Sequence, residues 1–135
     1  MIVVDTNIIA YYWLPGESTP LAETVRRKAP EWHAPLLWRS EMRSVLTQYL
    51  RRGIYTLGQV TEVMSHAESF LADYEYQCDS QSVLRLAASS RCSAYDCEFV
   101  ALARDLGIPL ITEDALVLKS FPDTAKTMQA FLEMH

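Results

Sequence analysis

The chain is poor in the residues that would staple it or build a zinc site. Its only cysteines, Cys78, Cys92 and Cys97, are odd in number and lack C-x-x-C spacing, and His33, His66 and His135 are scattered. Neither a disulfide framework nor a zinc site is supported, and this usage suits a reducing cytoplasm. Glycine is scarce too: there are 4, none in G-x-G-x-x-G or G-x-x-x-x-G-K-[ST], which argues against a dinucleotide or P-loop site. No run approaches the ~20 apolar residues that span a bilayer, so no membrane role is expected. The apolar opening, Met1 to Leu14, has no basic flank and is broken by Asp5 and Asn7, so it reads as mature structure and not as a signal peptide. Positive charge is also in deficit. With 12 Lys+Arg against 17 Asp+Glu the net charge is -5, so no global basic field draws the chain to nucleic acid or an anionic membrane. Any handling of RNA or DNA needs a metal or a local patch.

What is present is an ordinary globular composition, 50% hydrophobic and 21% charged in 135 residues. That length suits one domain of about 100–150 residues, and no repeat, low-complexity tract or linker divides it, so residues 1–135 read as a single unit. Ile2 to Val4 is a short β-branched run of the kind buried in a parallel sheet. Asp5, Thr6 or Asn7 can cap a helix carrying Ile8, Ile9, Tyr12 and Trp13, which Pro15-Gly16 stops. Thr19-Pro20 predicts a helix start, with Thr19 as N-cap and an end near Lys28; a short strand follows at Trp32 to Ala34. Trp38, Met42, Val45, Leu46, Tyr49 and Leu50 form one helical stripe closed by Arg51, Arg52 and Gly53. Thr56-x-x-Gln59 and Ser93-x-x-Asp96 have the form of capping boxes opening two further helices, the second ended by Gly107. Between them lie a strand at Tyr74 to Cys78 and a helix from Asp79 to about Arg91. Ile108 to Ile111 is expected as a strand. It is followed by a short helix at Ala115 to Lys119, a turn at Pro122-Asp123, an edge strand near Ala125 and a last helix to about Met134. Strands separated by helices imply βαβ crossovers, hence an α/β fold with a central parallel sheet between helical layers.

Ligands of such sheets bind outside the carboxyl ends of the strands. Asp5 ends the first strand, Asp114 closely follows the Ile108 to Ile111 strand, Asp96 lies in the first turn of the helix leading to it, and Glu41 lies near the start of the long helix. Each has a structural reading: Asp5, Asp96 and Asp114 as helix caps, Glu41 as a solvated helix charge. Converging carboxylates would repel one another and raise their own pKa values unless a divalent cation is the occupant. All-oxygen ligation favours Mg²⁺ or Mn²⁺, which activate a water and stabilise charge on a phosphodiester.

At these positions the sequence resembles the PIN domain family. Val3-Val4-Asp5-Thr6-Asn7, Arg39-Ser40-Glu41, the segment from Ser93 to Ala103 around Asp96, and Leu110-Ile111-Thr112-Glu113-Asp114 look like its four acidic motifs, in order and over almost the whole chain. The resemblance is greatest to toxin ribonucleases of the VapC type. It implies a Rossmann-like PIN fold, with Asp5, Glu41, Asp96 and Asp114 as ligands of Mg²⁺ or Mn²⁺ and as the catalytic set. Thr6, Asn7 and Thr112 would orient ligands or water. The implied activity is endoribonuclease cleavage leaving 3′-hydroxyl and 5′-phosphate ends, by a toxin that homodimerises and is silenced by an antitoxin protein. The T-x-D spacing selects Asp114, with Glu113 beside it as an alternative. Arg26, Arg27, Lys28, Arg39, Arg43, Arg51 and Arg52 gather positive charge in the first half, able either to hold RNA phosphates or simply to solvate helices. Arg39 and Arg43 fall about 200° around their helix from Glu41, facing an antitoxin acid more readily than the site. Tyr11, Tyr12 and Trp13 could stack bases, although Tyr12 and Trp13 sit at core or dimer spacing. The competing reading is a catalytically idle PIN-fold module that binds RNA or a partner. A receiver or a dehalogenase-like phosphatase fits poorly, because Asp5 is followed by Thr6 and Asn7.

Overall fold

The computed structural model describes residues 1–135. Five short strands, β1 (Ile2–Val4), β2 (Trp32–Pro35), β3 (Glu75–Tyr76), β4 (Leu110–Ile111) and β5 (Ala125–Lys126), form one sheet in the order β3-β2-β1-β4-β5. Every pairing is parallel. Eight helices flank it: α1 (Thr6–Trp13), α2 (Thr19–Lys28), α3 (Leu37–Arg51), α4 (Leu57–Leu71), α5 (Ser80–Ala88), α6 (Ala94–Leu106), α7 (Ala115–Ser120) and α8 (Met128–Glu133). This is the expected α/β architecture. Successive strand side chains point to opposite faces, and β1 and β2 are buried at every residue, so both faces of the sheet are covered. No helix is long and apolar enough to cross a membrane.

The core is held by residues whose spacing forecast it. Trp32, Trp38, Phe99, Ile8, Ile9 and Met42 are fully buried. Tyr12 and Phe70 meet Trp32 edge-on with ring centroids 5.6 and 5.4 Å away, clamping α1 and α4 to β2. Both capping boxes form as read, Thr56 with Gln59 and Ser93 with Asp96. In the second box the flanking residues Cys92 and Cys97 are buried at the N′ and N4 positions, where a hydrophobic staple fixes the chain's entry into α6.

Four boundaries differ from the sequence reading, each for a local reason. Thr19 does not cap α2. Its hydroxyl donates to the carbonyls of Tyr11 (2.6 Å) and Leu14 (3.3 Å) and so ties the end of α1 to the start of α2. The strand expected at Tyr74 to Cys78 shrinks to Glu75–Tyr76 because Ala72–Tyr74 form a 3-10 turn. Helix α5 stops at Ala88, short of Arg91, where the hydroxyls of Ser89 and Ser90 both donate to Leu86 O and compete with the helical ladder. β4 begins only at Leu110. Gly107 adopts φ 67°, the Gly107 and Ile108 amides close a Schellman motif onto Arg104 O and Ala103 O, and Pro109 has no N–H to pair.

Candidate metal centre

The register of the sheet assembles the site. Val3 pairs with Leu110 and Val4 with Ile111, so the next residues, Asp5 and Thr112, leave the carboxyl ends of adjacent strands side by side. The crevice lies between β1 and β4, where strand order reverses direction from the central strand, as expected for a ligand site in an open parallel sheet. Here the Thr112 hydroxyl donates to Asp5 Oδ2 at 2.7 Å, and the Thr6 amide donates to Asp5 Oδ1 at 2.8 Å. The same Thr112 oxygen accepts the Asp114 amide at 3.0 Å, so one buried threonine links the first and last acidic motifs. The Thr6 hydroxyl reaches across to α3 and donates to Glu41 Oε1 at 2.7 Å. Glu41 is therefore no solvated surface charge; it is half-buried and held to the D-T-N turn.

Asp96 acts on this pair through its charge. Burial pushes the Asp5 carboxyl up to about 6 from 3.8, against the lowering pull of its Thr112 and Thr6 hydrogen bonds, with the charges of Glu41 and Asp96 adding to the rise. Glu41 is likewise raised, chiefly by burial and then by Asp96 and Glu98. Glu98 was not anticipated; its signal was a second acid two residues past Asp96 in the same motif segment. No lysine or arginine pairs with Asp5, Glu41, Asp96 or Asp114. The capping readings hold as well: Asp5, Asp96 and Asp114 each accept a backbone N–H at the start of α1, α6 and α7. The Asp114 carboxylate turns to Val117 N at 3.0 Å, while Glu113 is directed to the start of α8, accepting the Met128 amide at 2.9 Å.

As arranged, no three acidic, histidine or cysteine side chains form a group able to hold a metal ion by themselves. The donor set nevertheless fits a hydrated divalent cation, because Mg²⁺ keeps several waters and takes only one or two carboxylates directly. The buried carboxamide oxygen of Asn7, two residues after Asp5, has no hydrogen-bond partner, an acceptor that an ordered water would satisfy.

The basic residues of the first half are largely occupied elsewhere. Arg39 donates twice to Glu75, at 2.6 and 2.7 Å, and to Glu68 at 2.8 Å, anchoring α3 to β3 and α4, so it is neither a free phosphate contact nor a solvated charge. Arg26 bonds the Tyr12 hydroxyl, and Lys28 closes the carbonyls of Phe131 and Met134. Tyr12 and Trp13 pack against the core, with ring centroids 4.8 Å apart.

The PIN domain family profile matches residues 2–122 of this parallel-sheet chain. The chain belongs to the PIN domain family. It is similar to Ribonuclease VapC3 of Pyrobaculum aerophilum, with 28% identity over 124 residues covering 90% of this chain and 95% of that protein. Two crystal structures share the fold. FitAcB from Neisseria gonorrhoeae superposes with a TM-score of 0.76 at 12% identity over 96% of this chain and 99% of that one. PAE2754 from Pyrobaculum aerophilum does so with a TM-score of 0.77 at 17% identity over 97% and 92%.

Proposed function

We propose that this chain is a Mg²⁺- or Mn²⁺-dependent endoribonuclease, the toxin of a type II toxin–antitoxin pair. It acts as one unit over residues 1–135, as a homodimer in the cytoplasm, and is silenced by a cognate antitoxin protein. The observation that carries the reading is the pair of carboxylates Asp5 and Glu41, tied together through Thr6, without a lysine or arginine partner, and both pushed up chiefly by burial. Buried like charges without an internal cation are costly, and an external divalent cation relieves them. The similarity to a VapC ribonuclease supports RNA as the substrate and an antitoxin as the partner.

In this reading Asp5, Glu41, Asp96 and Asp114 hold the cation, which when bound supplies an activated water and stabilises charge on the phosphodiester oxygens. Thr6 and Thr112 fix the carboxylates of Asp5 and Glu41 through three hydrogen bonds, leaving Glu41 Oε2 free to ligate. Asn7 orients water through its unsatisfied oxygen. Above about pH 6 Asp5 is ionised and able to serve; below it a proton competes for the same oxygens.

The test is cleavage of a mixed tRNA and rRNA pool by the purified chain in Mg²⁺, Mn²⁺ or EDTA, beside an Asp5→Asn/Asp96→Asn variant. Expected are metal-dependent cuts with 5′-phosphate and 3′-hydroxyl ends that are absent from the variant. Cutting that persists in EDTA or in the variant contradicts the proposal. A second reading, an idle PIN module that binds RNA or a partner, is favoured by the lack of any ready three-ligand group. A folded chain that neither cuts nor binds Mn²⁺ would establish that one.

A further inference from the structure

The chain is acidic overall, so an RNA strand has to be held by cations placed locally. Those without a hydrogen-bond partner are Arg43, Arg51, Arg52, Arg85, Arg91 and Lys119, whereas the others bond carboxylates, hydroxyls, or carbonyls at helix ends and turns. Arg91 and Lys119 line the same cavity, an open groove of about 810 Å³ between the end of α5 and α7. Its remaining walls are Ala88, Ser89, Ser90, Leu116 and Ser120. No carboxylate lines it, unlike the groove between α3 and α4, which Glu68 lines together with Arg43.

The position of the groove follows from the site. Arg91 stands two residues before Ser93, whose capping box presents Asp96, and Lys119 closes the helix that Asp114 opens. At 1.5 Å per residue, α7 carries Lys119 about 7.5 Å along its axis from Asp114, a span of one or two nucleotides. The walls approach each other where the Cys92 thiol faces Leu116 O at 3.9 Å. The Ser89 and Ser90 hydroxyls are spent on Leu86 O, so charge recognition falls to Arg91 and Lys119, both exposed.

We infer that this groove is a phosphate track for single-stranded RNA, in which Arg91 and Lys119 hold backbone phosphates flanking the scissile bond. The inference rests on the ribonuclease reading for the substrate class, but its binding test does not depend on cleavage. Affinity for a short single-stranded oligoribonucleotide of mixed sequence is measured in EDTA across a salt series, for the wild type and for Arg91→Ala/Lys119→Ala. Two phosphate contacts on a single strand account for about 1.4 of the slope of log K against log salt. The double variant should lose that much slope and bind roughly tenfold more weakly whatever the sequence. An Arg91→Lys/Lys119→Arg exchange, which keeps both charges, should retain the slope. In a cleavage assay the alanine variant should raise KM about as much while leaving kcat unchanged.

An unchanged slope, or no strand binding by the wild type, overturns the inference and leaves an acidic segment of a protein partner as the occupant suited to the two cations. If the slope falls but no metal condition yields cleavage, the phosphate track stands and the nuclease reading fails. If the chain cleaves but the slope and KM do not move, the track fails and the nuclease stands.

Discussion

Asp5 caps α1, accepts a hydrogen bond from Thr112 of the last acidic motif, and feels the charges of Glu41 and Asp96. Because burial raises its carboxyl to about 6 from 3.8, the folded chain holds this proton more tightly than the unfolded one. The corresponding stability is full below about pH 4 and is lost as pH rises through about 6, a change on the order of 3 kcal/mol. Asp5→Asn keeps an oxygen for the Thr6 amide and carries no charge. In EDTA it should therefore resist urea better than the wild type at about pH 7.5 and gain little at about pH 4. Urea melts at the two pH values check this; a loss of stability at both would assign Asp5 a capping role alone. The acidic positions were legible because D-T-N, T-x-D and the capping box are short, local patterns. The hydroxyl bridges were not, since Thr6 to Glu41 and Thr112 to Asp5 join residues 35 and 107 positions apart. Nor was the fate of Arg39, whose partners Glu68 and Glu75 arrive from α4 and β3.

Helix α6 is the element on which chemistry and stability coincide. Its capping box is closed by the acid proposed as a ligand, with Ser93 Oγ accepting the Asp96 amide at 3.0 Å. Ser93→Ala should cost about 1 kcal/mol of stability. It should also weaken Mn²⁺ binding by loosening Asp96, and Ser93→Thr should restore both. Thermal melts with and without metal separate the two effects; a stability loss with unaltered metal response would leave Asp96 as a cap only. The element reading succeeded where a capping side chain or a left-handed glycine fixes an end, as at Thr56, Ser93 and Gly53. It erred where nearby groups took over backbone partners, as at Thr19 and at Ser89-Ser90 after α5. Short strands were located within a few residues because buried β-branched runs mark them, but the Schellman closure at Gly107 consumed the first residues expected of β4.

The whole molecule turns an acidic, glycine-poor chain into a sheet whose central strand ends on an acid. Alternating strands and helices announce a parallel sheet, yet the order β3-β2-β1-β4-β5 is set by pairings far apart in sequence. That order decides that Asp5 and Thr112 emerge as neighbours and that α3 lies within reach of the D-T-N turn. The central claim is that these carboxylates form a divalent-cation site. The most direct test is the melting temperature of the wild type against Mn²⁺ concentration, with Asp5→Asn/Asp96→Asn beside it. A ligand of the folded state alone adds about 2.7 kcal/mol at a hundredfold excess over Kd. The account predicts that the wild type climbs with Mn²⁺ and returns to its baseline in EDTA, while the variant starts higher and stays flat. Equal climbs in both proteins, or none in the wild type, would contradict it.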